Sequence, residues 1–317
     1  MNEILLSVII PCYNSAYLLK KTLSLYEKEN LQWIEFIIVD DCSTDNSWLE
    51  IKEFSLKSNL NIILSKNEKN IGPGEARNHG ISLASGRYIT FLDSDDRFIN
   101  SFFYEIFQYV QQGEIDCLIF DYLMPNDKRK SILIKEYSQG VIPYTEAFVF
   151  VRGATFGKIY RSEIIKSKGI KFLSLKRNED MPFTKIALSN MSNVLYIKKP
   201  LYFYEQLPSS LMHDKSLLNA ENAINACLFI DKNTDDSLKR EKEAVYALEC
   251  IYSAAMTYSL SLKRKQWKEK VFELEKIYPE YLNNIYVKKY PLKYKTILKM
   301  IHRKMYCSIK LINKYFR

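Results

Sequence analysis

The sequence predicts an α/β fold: a mostly parallel sheet flanked by helices, with an α-helical region toward the C-terminal end. Three observations carry that expectation. Short apolar runs rich in Ile, Val and Phe recur through the first 120 residues without a helical period, as in strands buried on both faces. Helical segments of 10–15 residues lie between them, which is the spacing of βαβ units. Beyond residue 215 the strand signals stop and long helical segments follow.

Leu5 to Ile10 is the first strand, and a helix runs from about Ala16 to Glu29. Phe36 to Val39 is the second, ending at Asp40-Asp41. Thr44-Asp45-Asn46-Ser47 then offers cap residues for a helix through Lys57. Leu60 to Leu64 is the third strand, and Gly72-Pro73-Gly74 breaks the chain before a helix from about Glu75 to Ala84. Tyr88 to Leu92 and Cys117 to Phe120 complete the series, with a helix from Ser101 to Gln112 between them. Residues 122–153 carry few strong signals. Leu217 to Ile230, Ala244 to Leu260 and Trp267 to Ile277 are helical, the first two joined through a turn and cap at Thr234-Asp235-Asp236-Ser237.

In open parallel sheets, ligands bind beyond the carboxyl ends of the strands. Pro11-Cys12-Tyr13-Asn14, Asp40-Asp41 and Asp93-Ser94-Asp95 each follow a strand, so they should line one edge. Tyr13 can stack on a base, and Asp41 can accept from its ring nitrogens or from ribose hydroxyls. Asp45 and Ser47 suit the plainer role of helix capping. The densest stretch is Arg87 to Asp96, a strand ending in three carboxylates within four residues. Such like charge calls for a cation. Oxygen-rich sites select Mg²⁺ or Mn²⁺, and Mg²⁺ is usually held by one or two carboxylates plus substrate phosphates. The alternative is a solvated acidic loop before the next helix.

Asn70 to Gly74 can bring backbone close to a phosphate at a helix N-terminus, or simply turn the chain. It is neither a Walker loop nor a G-x-G-x-x-G fingerprint. Arg77, on the following helix, can reach the acidic strand ends as an ion pair or meet a phosphate. Glu179-Asp180, with Pro182 in the first turn after them, reads on its own as an acidic helix N-terminus.

Composition narrows the classes. With 317 residues the chain is long enough for one large or two modest domains. Six scattered cysteines without a C-x-x-C pair read as buried thiols in a reducing compartment. Three histidines make a His-rich zinc site a poor fit. No signal peptide or stretch of 18 apolar residues is visible, so the expected location is cytoplasmic, unless the protein lies on a membrane surface. The net charge of +9 is local: from Val287 onward there are ten Lys/Arg and no Asp/Glu, while the rest balances at −1. Within that tail, residues 294–316 place Tyr294, Ile297, Leu298, Ile301, Met305, Ile309, Ile312 and Phe316 at helical spacing among basic residues. A basic amphipathic helix suits an anionic bilayer, a core-docked position or an oligomer contact. No nucleic-acid fold signal accompanies the charge, so nucleic acid is not an expected partner.

The stretches VIIPCYN, VDDCSTDNS, NIGPGEARNHGI, ASGRYITFLDSDD and NED, in that order, resemble the family 2 glycosyltransferases, over roughly residues 4–215. The resemblance implies a GT-A, Rossmann-like domain that transfers a sugar with inversion from a nucleotide-sugar donor, using Mn²⁺ or Mg²⁺. Pro11, Tyr13 and Asp41 would then hold the nucleobase, usually uracil, with Asn14, Gly72, Arg77 and Ser94 joining the nucleotide-sugar site. Asp93 and Asp95 would form the Asp-x-Asp, Asp95 as direct metal ligand and Asp93 nearer the ribose. Asp180 would be the catalytic base and Glu179 its support. Residues 155–161 resemble the strand returning across the acceptor side, where Lys158 and Arg161 could meet an anionic acceptor or be helix-end surface charges. Glu205-Gln206-Leu207-Pro208 departs from the usual Arg, leaving the cationic diphosphate contact unassigned; His213 could replace it or add a metal ligand.

The resulting expectation is a catalytic domain over 1–215, with 1–122 binding the nucleotide-sugar and 123–215 the acceptor, then a helical region over 216–286 and a basic tail over 287–317. The reaction would move a hexose or N-acetylhexosamine from a UDP-sugar to a cell-surface glycan, free or lipid-linked, such as a capsule, exopolysaccharide or lipooligosaccharide. It would run on the inner face of the plasma membrane. Alternatives are a teichoic-acid-type transferase, a transferase using a non-UDP nucleotide sugar, and a non-catalytic membrane-associated binding module. A nucleotidyltransferase fits less well, since Pro11-Cys12-Tyr13-Asn14 lacks a Gly-rich phosphate loop with a basic residue.

Overall fold

The computed structural model describes residues 3–125, 127–129, 137–175, 178–205, 217–261 and 264–315. Two compact units divide the chain. Met1–Ile132, Tyr137–Tyr144 and Arg152–Pro208 form one; Leu133–Glu136, Thr145–Val151 and Ser209–Arg317 form the other.

The first unit alternates strand and helix as the apolar runs require: β1 (Leu6–Cys12), α1 (Ala16–Tyr26), β2 (Ile34–Asp40), α2 (Ser47–Lys57), β3 (Ile62–Lys66), α3 (Pro73–Leu83), β4 (Tyr88–Phe91), β5 (Arg97–Phe98), α4 (Phe102–Gln112) and β6 (Cys117–Met124). Then come β7 (Asp127–Arg129), β8 (Gly140–Ile142), β9 (Lys158–Arg161), α6 (Ser162–Ser167), α7 (Asp180–Ser189) and β10 (Val194–Phe203), while the intervening α5 (Tyr144–Phe150) falls, after Tyr144, in the second unit. Strand order is β3-β2-β1-β4-β9-β6-β10-β5. The first four strands are parallel, as expected. The sheet as a whole is mixed, because β9 runs antiparallel between β4 and β6.

One face of the sheet is covered by α1 and α4, where Leu19, Leu23 and Tyr26 meet Phe36, Phe98 and Phe103. Tyr26 accepts the Phe98 amide at 2.7 Å through its hydroxyl, so its one polar atom is satisfied inside the core. A second aromatic cluster joins Phe91, Tyr160, Phe172 and Phe183. Helix α7 buries every residue from Met181 to Leu188 and is therefore an interior helix.

The second unit is helical, with helices over Leu217–Lys232, Lys239–Val245, Ser253–Ser261, Arg264–Ile277, Ile285–Lys289, Leu292–His302 and Tyr306–Tyr315. Tyr246–Tyr252 is a π-helical segment. Asp235 accepts the Ser237 amide at 2.7 Å, the cap expected there. The tail differs from the single helix expected over 294–316. It breaks after His302, where Lys304 adopts φ 57°. Ile297, Leu298, Ile301 and Ile309 are buried within this unit, so the apolar face packs on protein. Phe316 lies outside the described residues. No helix among the described residues is long and apolar enough to cross a membrane.

Candidate active site

Side chains tie the three strand ends together. Asn14, left-handed at φ 50°, accepts the Thr44 amide at 2.9 Å and gives its own amide to Ser43 Oγ at 2.9 Å, joining the loops after β1 and β2. Ser15 Oγ donates to Ser94 Oγ at 2.8 Å, joining the first loop to the one after β4. Pro11 pairs with Val39 but has no N–H to extend the β1–β4 ladder, which ends at Ile9 and Phe91. Past that pair the chain leaves the sheet and turns through Asp93 to Asp96. Tyr13 stands at this edge 45% exposed, open to stacking. The cap of α2 is Asn46 and not Asp45 or Ser47, although Asp45, one residue earlier, takes the Ser47 amide at 2.9 Å.

Asp41 is buried, and much of its acceptor capacity is used within the fold. Oδ1 accepts from Asn67 Nδ2 at 2.8 Å and from the Ile71 amide at 3.0 Å. Oδ2 accepts from the Gly72 amide at 2.8 Å. The carboxylate thus anchors the Gly72 loop, where φ of +89° demands glycine. Gly74 is required for a second reason: a Cβ there would stand 2.8 Å from the Leu173 carbonyl oxygen and 3.1 Å from Glu179 Cγ.

Arg77, 6% exposed on α3, bridges two distant parts of the chain. Nη2 donates to Asp93 Oδ1 at 2.7 Å and Nη1 to Glu179 Oε1 at 2.9 Å. Burial works against its charge, but Asp93, Glu179 and Asp180 outweigh that and keep it protonated. The ion pair is therefore what forms, and it links the acidic loop after β4 to the start of α7. Asp180 is the first residue of that helix. Burial lifts its carboxyl to about 7, with Glu179 and Asp93 adding to the rise and Arg77 opposing it. A carboxyl tuned this way can take up a proton at neutral pH.

Around the acidic loop the balance is short of positive charge. Burial raises the Asp95 carboxyl, and Asp93 and Glu205 add to it. Asp96 is raised well above the carboxylate range, first by burial and then by Asp93 and Asp95. It is fully enclosed, accepting from Tyr202 Oη at 2.5 Å and from the Glu205 amide at 2.7 Å. Asp95 makes no ion pair among the described residues. No group of three or more His, Cys, Asp or Glu among those residues forms a metal cage by itself. Asp95 with Asp93 nevertheless fits a hard divalent cation whose other ligands are phosphate oxygens and water.

Several expectations need correction. Lys158 is no surface charge: it is 1% exposed and donates to the Ala154 and Phe156 carbonyls at 2.5 and 3.2 Å, and burial lowers its ammonium to about 7. Arg161 pairs with Asp116 at 3.0 Å and donates to the Ile115 carbonyl at 2.7 Å, which fixes the entry to α6. Glu205, where a cation was wanted, pairs with Arg97 at 2.9 Å. His213 lies outside the described residues. Tyr202, Asn67 and His79 are structural partners of the site that local sequence did not mark, because each acts through a residue distant in the chain or on another element.

A family model described as Glycosyl transferase family 2 matches residues 7–170. The chain is 29% identical over 203 residues to TarS of Staphylococcus aureus, a poly(ribitol-phosphate) beta-N-acetylglucosaminyltransferase; the match covers 62% of this chain and 35% of TarS. It is 26% identical over 203 residues to a poly(ribitol-phosphate) beta-glucosyltransferase of Bacillus spizizenii, covering 63% of this chain and 32% of that enzyme. The chain thus spans about a third of the length of these relatives. Among solved structures, S. aureus TarS 1–349 in complex with UDP aligns with a TM-score of 0.70 at 20% identity, covering 99% of this chain and 91% of that one. A mannosyltransferase of Pyrobaculum calidifontis, in complex with GDP-Man and Mn²⁺, aligns at 0.61 and 14% identity, covering 100% and 88%.

Proposed function

The chain belongs to glycosyl transferase family 2, and from that premise we propose that it transfers a hexose or N-acetylhexosamine, with inversion, from a UDP-sugar to a cell-surface polymer. One observation carries the reading: the Arg77 guanidinium holds Asp93 and Glu179 together, beside an Asp180 whose carboxyl is poised near 7. In the reaction Asp180 takes the proton of the acceptor hydroxyl as that oxygen attacks the anomeric carbon. The bond from that carbon to the diphosphate breaks on the opposite face, and UDP leaves. Glu179, through Arg77, keeps the base at a fixed distance from the donor side. Pro11, Tyr13, Asn14 and Asp41 hold the nucleobase end, with Gly72, Asp93 and Ser94 along the ribose and diphosphate. Asp95 and Asp93 would hold Mn²⁺ or Mg²⁺, which supplies neutralisation of the departing diphosphate.

The acceptor reading leans toward a polyol-phosphate polymer of the teichoic-acid type, because both relatives described above are named for poly(ribitol-phosphate). Other surface glycans remain the alternative. The reaction would take place at the cytoplasmic membrane surface. The exposed Lys288, Lys293, Lys299, Arg303 and Lys304 support this by offering positive charge to anionic lipid. A panel of nucleotide-sugars scored by nucleotide release, with poly(ribitol-phosphate) as acceptor, tests the proposal. UDP release that depends on acceptor and is lost in Asp180→Asn supports it. No release from any UDP-sugar, with release from another nucleotide-sugar, overturns the donor assignment.

A further inference from the structure

Asp41 is not held by its loop alone. Its Oδ1 takes Asn67 Nδ2 at 2.8 Å, and the other end of the same amide, Asn67 Oδ1, lies 2.8 Å from His79 Nδ1 on α3. His79 Nε2 in turn lies 3.3 Å from Ser65 Oγ on β3. The direction of this chain follows from its ends. A carboxylate only accepts, so the Asn67 amide must present its NH₂ to Asp41 and its oxygen to His79. His79 must then carry hydrogen on Nδ1, and the Ser65 hydroxyl satisfies Nε2 in that tautomer. An amide turned the other way would set its oxygen against Asp41 Oδ1, acceptor against acceptor.

The count of lone pairs gives this relay a consequence. A carboxylate offers about four acceptor positions. Asn67, Ile71 and Gly72 occupy three, and the one left belongs to Oδ2. We propose that His79 is a positioning residue for nucleobase recognition: acting through Asn67, it fixes Asp41 so that a single acceptor position is offered, which favours a base with a ring N–H donor over one with a ring acceptor. Uracil presents N3–H; cytosine presents a bare N3. The inference rests on the UDP-sugar reading above and adds a selectivity device to it. His79 touches no substrate, so its effect appears in donor affinity and base choice and leaves the chemical step alone.

The test is calorimetric binding of UDP and CDP with Mn²⁺ to the full chain, for the wild type, His79→Leu and His79→Asn, with melting temperatures as a check on folding. His79→Leu removes the donor to Asn67 Oδ1 and loosens the amide, whose NH₂ still faces Asp41. The expected result is a roughly five- to tenfold loss of UDP affinity, the worth of about one hydrogen bond, with little change for CDP. The donor KM rises in parallel while kcat at saturating donor stays within about twofold. His79→Asn places an amide N–H near the former Nδ1 and restores most of the preference. A His79→Leu protein that folds and keeps the wild-type ratio of UDP to CDP affinity overturns the role of His79 alone. A wild type that binds both nucleotides equally overturns the UDP reading and this inference with it.

Discussion

Replacing Asp180 by Asn should make the protein more stable while removing its activity. The carboxyl is raised from the ordinary 3.8 to about 7, chiefly by burial, so ionising it in the folded state is unfavourable. In the unfolded chain it ionises near the ordinary value. Stability from the neutral carboxyl is therefore fully present below about pH 4 and is lost as pH rises toward 7. At about 1.4 kcal/mol per unit, the loss over that window is on the order of 4 kcal/mol, as an upper figure. Asn mimics the neutral carboxyl and does not ionise. Urea denaturation of both proteins at pH 5, 6, 7 and 8 measures the difference. The gap should favour Asn, widen by about 1 kcal/mol per pH unit up to 7, and flatten above it. Transfer activity should fall on the order of 10²–10⁴-fold, and the acid limb of the wild-type rate profile should lie near pH 7. An Asn variant no more stable than the wild type at pH 8 would refute the claim that the fold holds this carboxylate at a cost.

Three further outcomes follow from the same geometry. UDP at about a hundred times its dissociation constant should raise the melting temperature by about 5–10 °C with Mg²⁺ or Mn²⁺, and the metal-dependent part should vanish in Asp95→Asn; equal shifts with and without metal would count against the Asp93–Asp95 assignment. Gly74→Ala forces a Cβ against the Leu173 carbonyl and Glu179, so a loss of about 1–3 kcal/mol in urea denaturation is expected, together with reduced activity. Exchanging Lys293, Lys299 and Lys304 for Gln should weaken co-sedimentation with anionic vesicles about a hundredfold and leave neutral vesicles unaffected, and unchanged binding would remove the membrane role of the tail.

What the sequence made legible was mostly local. The βαβ order and the shared edge of Tyr13, Asp41 and Asp93 follow from apolar runs and the carboxyl-end rule, which need only nearest neighbours. The antiparallel entry of β9 is a pairing choice made 70 residues away, and no local pattern signals it. Lys158 illustrates the same limit: one lysine beside a helix reads as solvated, and only the packed structure shows two carbonyls receiving its ammonium. The tail failed differently. Its 3.6-residue period was real, but period alone does not say whether the apolar face meets lipid or protein, and it hid the left-handed Lys304 that splits it in two. Arg77 had two readings, and the ion pair is the one that packing shows, with a partner, Glu179, 102 residues on.

The most direct measurement is the anomeric configuration of the product, read by proton NMR after transfer from an α-linked UDP-sugar. One carboxylate base on the acceptor side, with a diphosphate leaving opposite, predicts a β-linked product from the wild type and no product from Asp180→Asn. An α-linked product, or β-linked product formed at the wild-type rate by Asp180→Asn, would contradict the account.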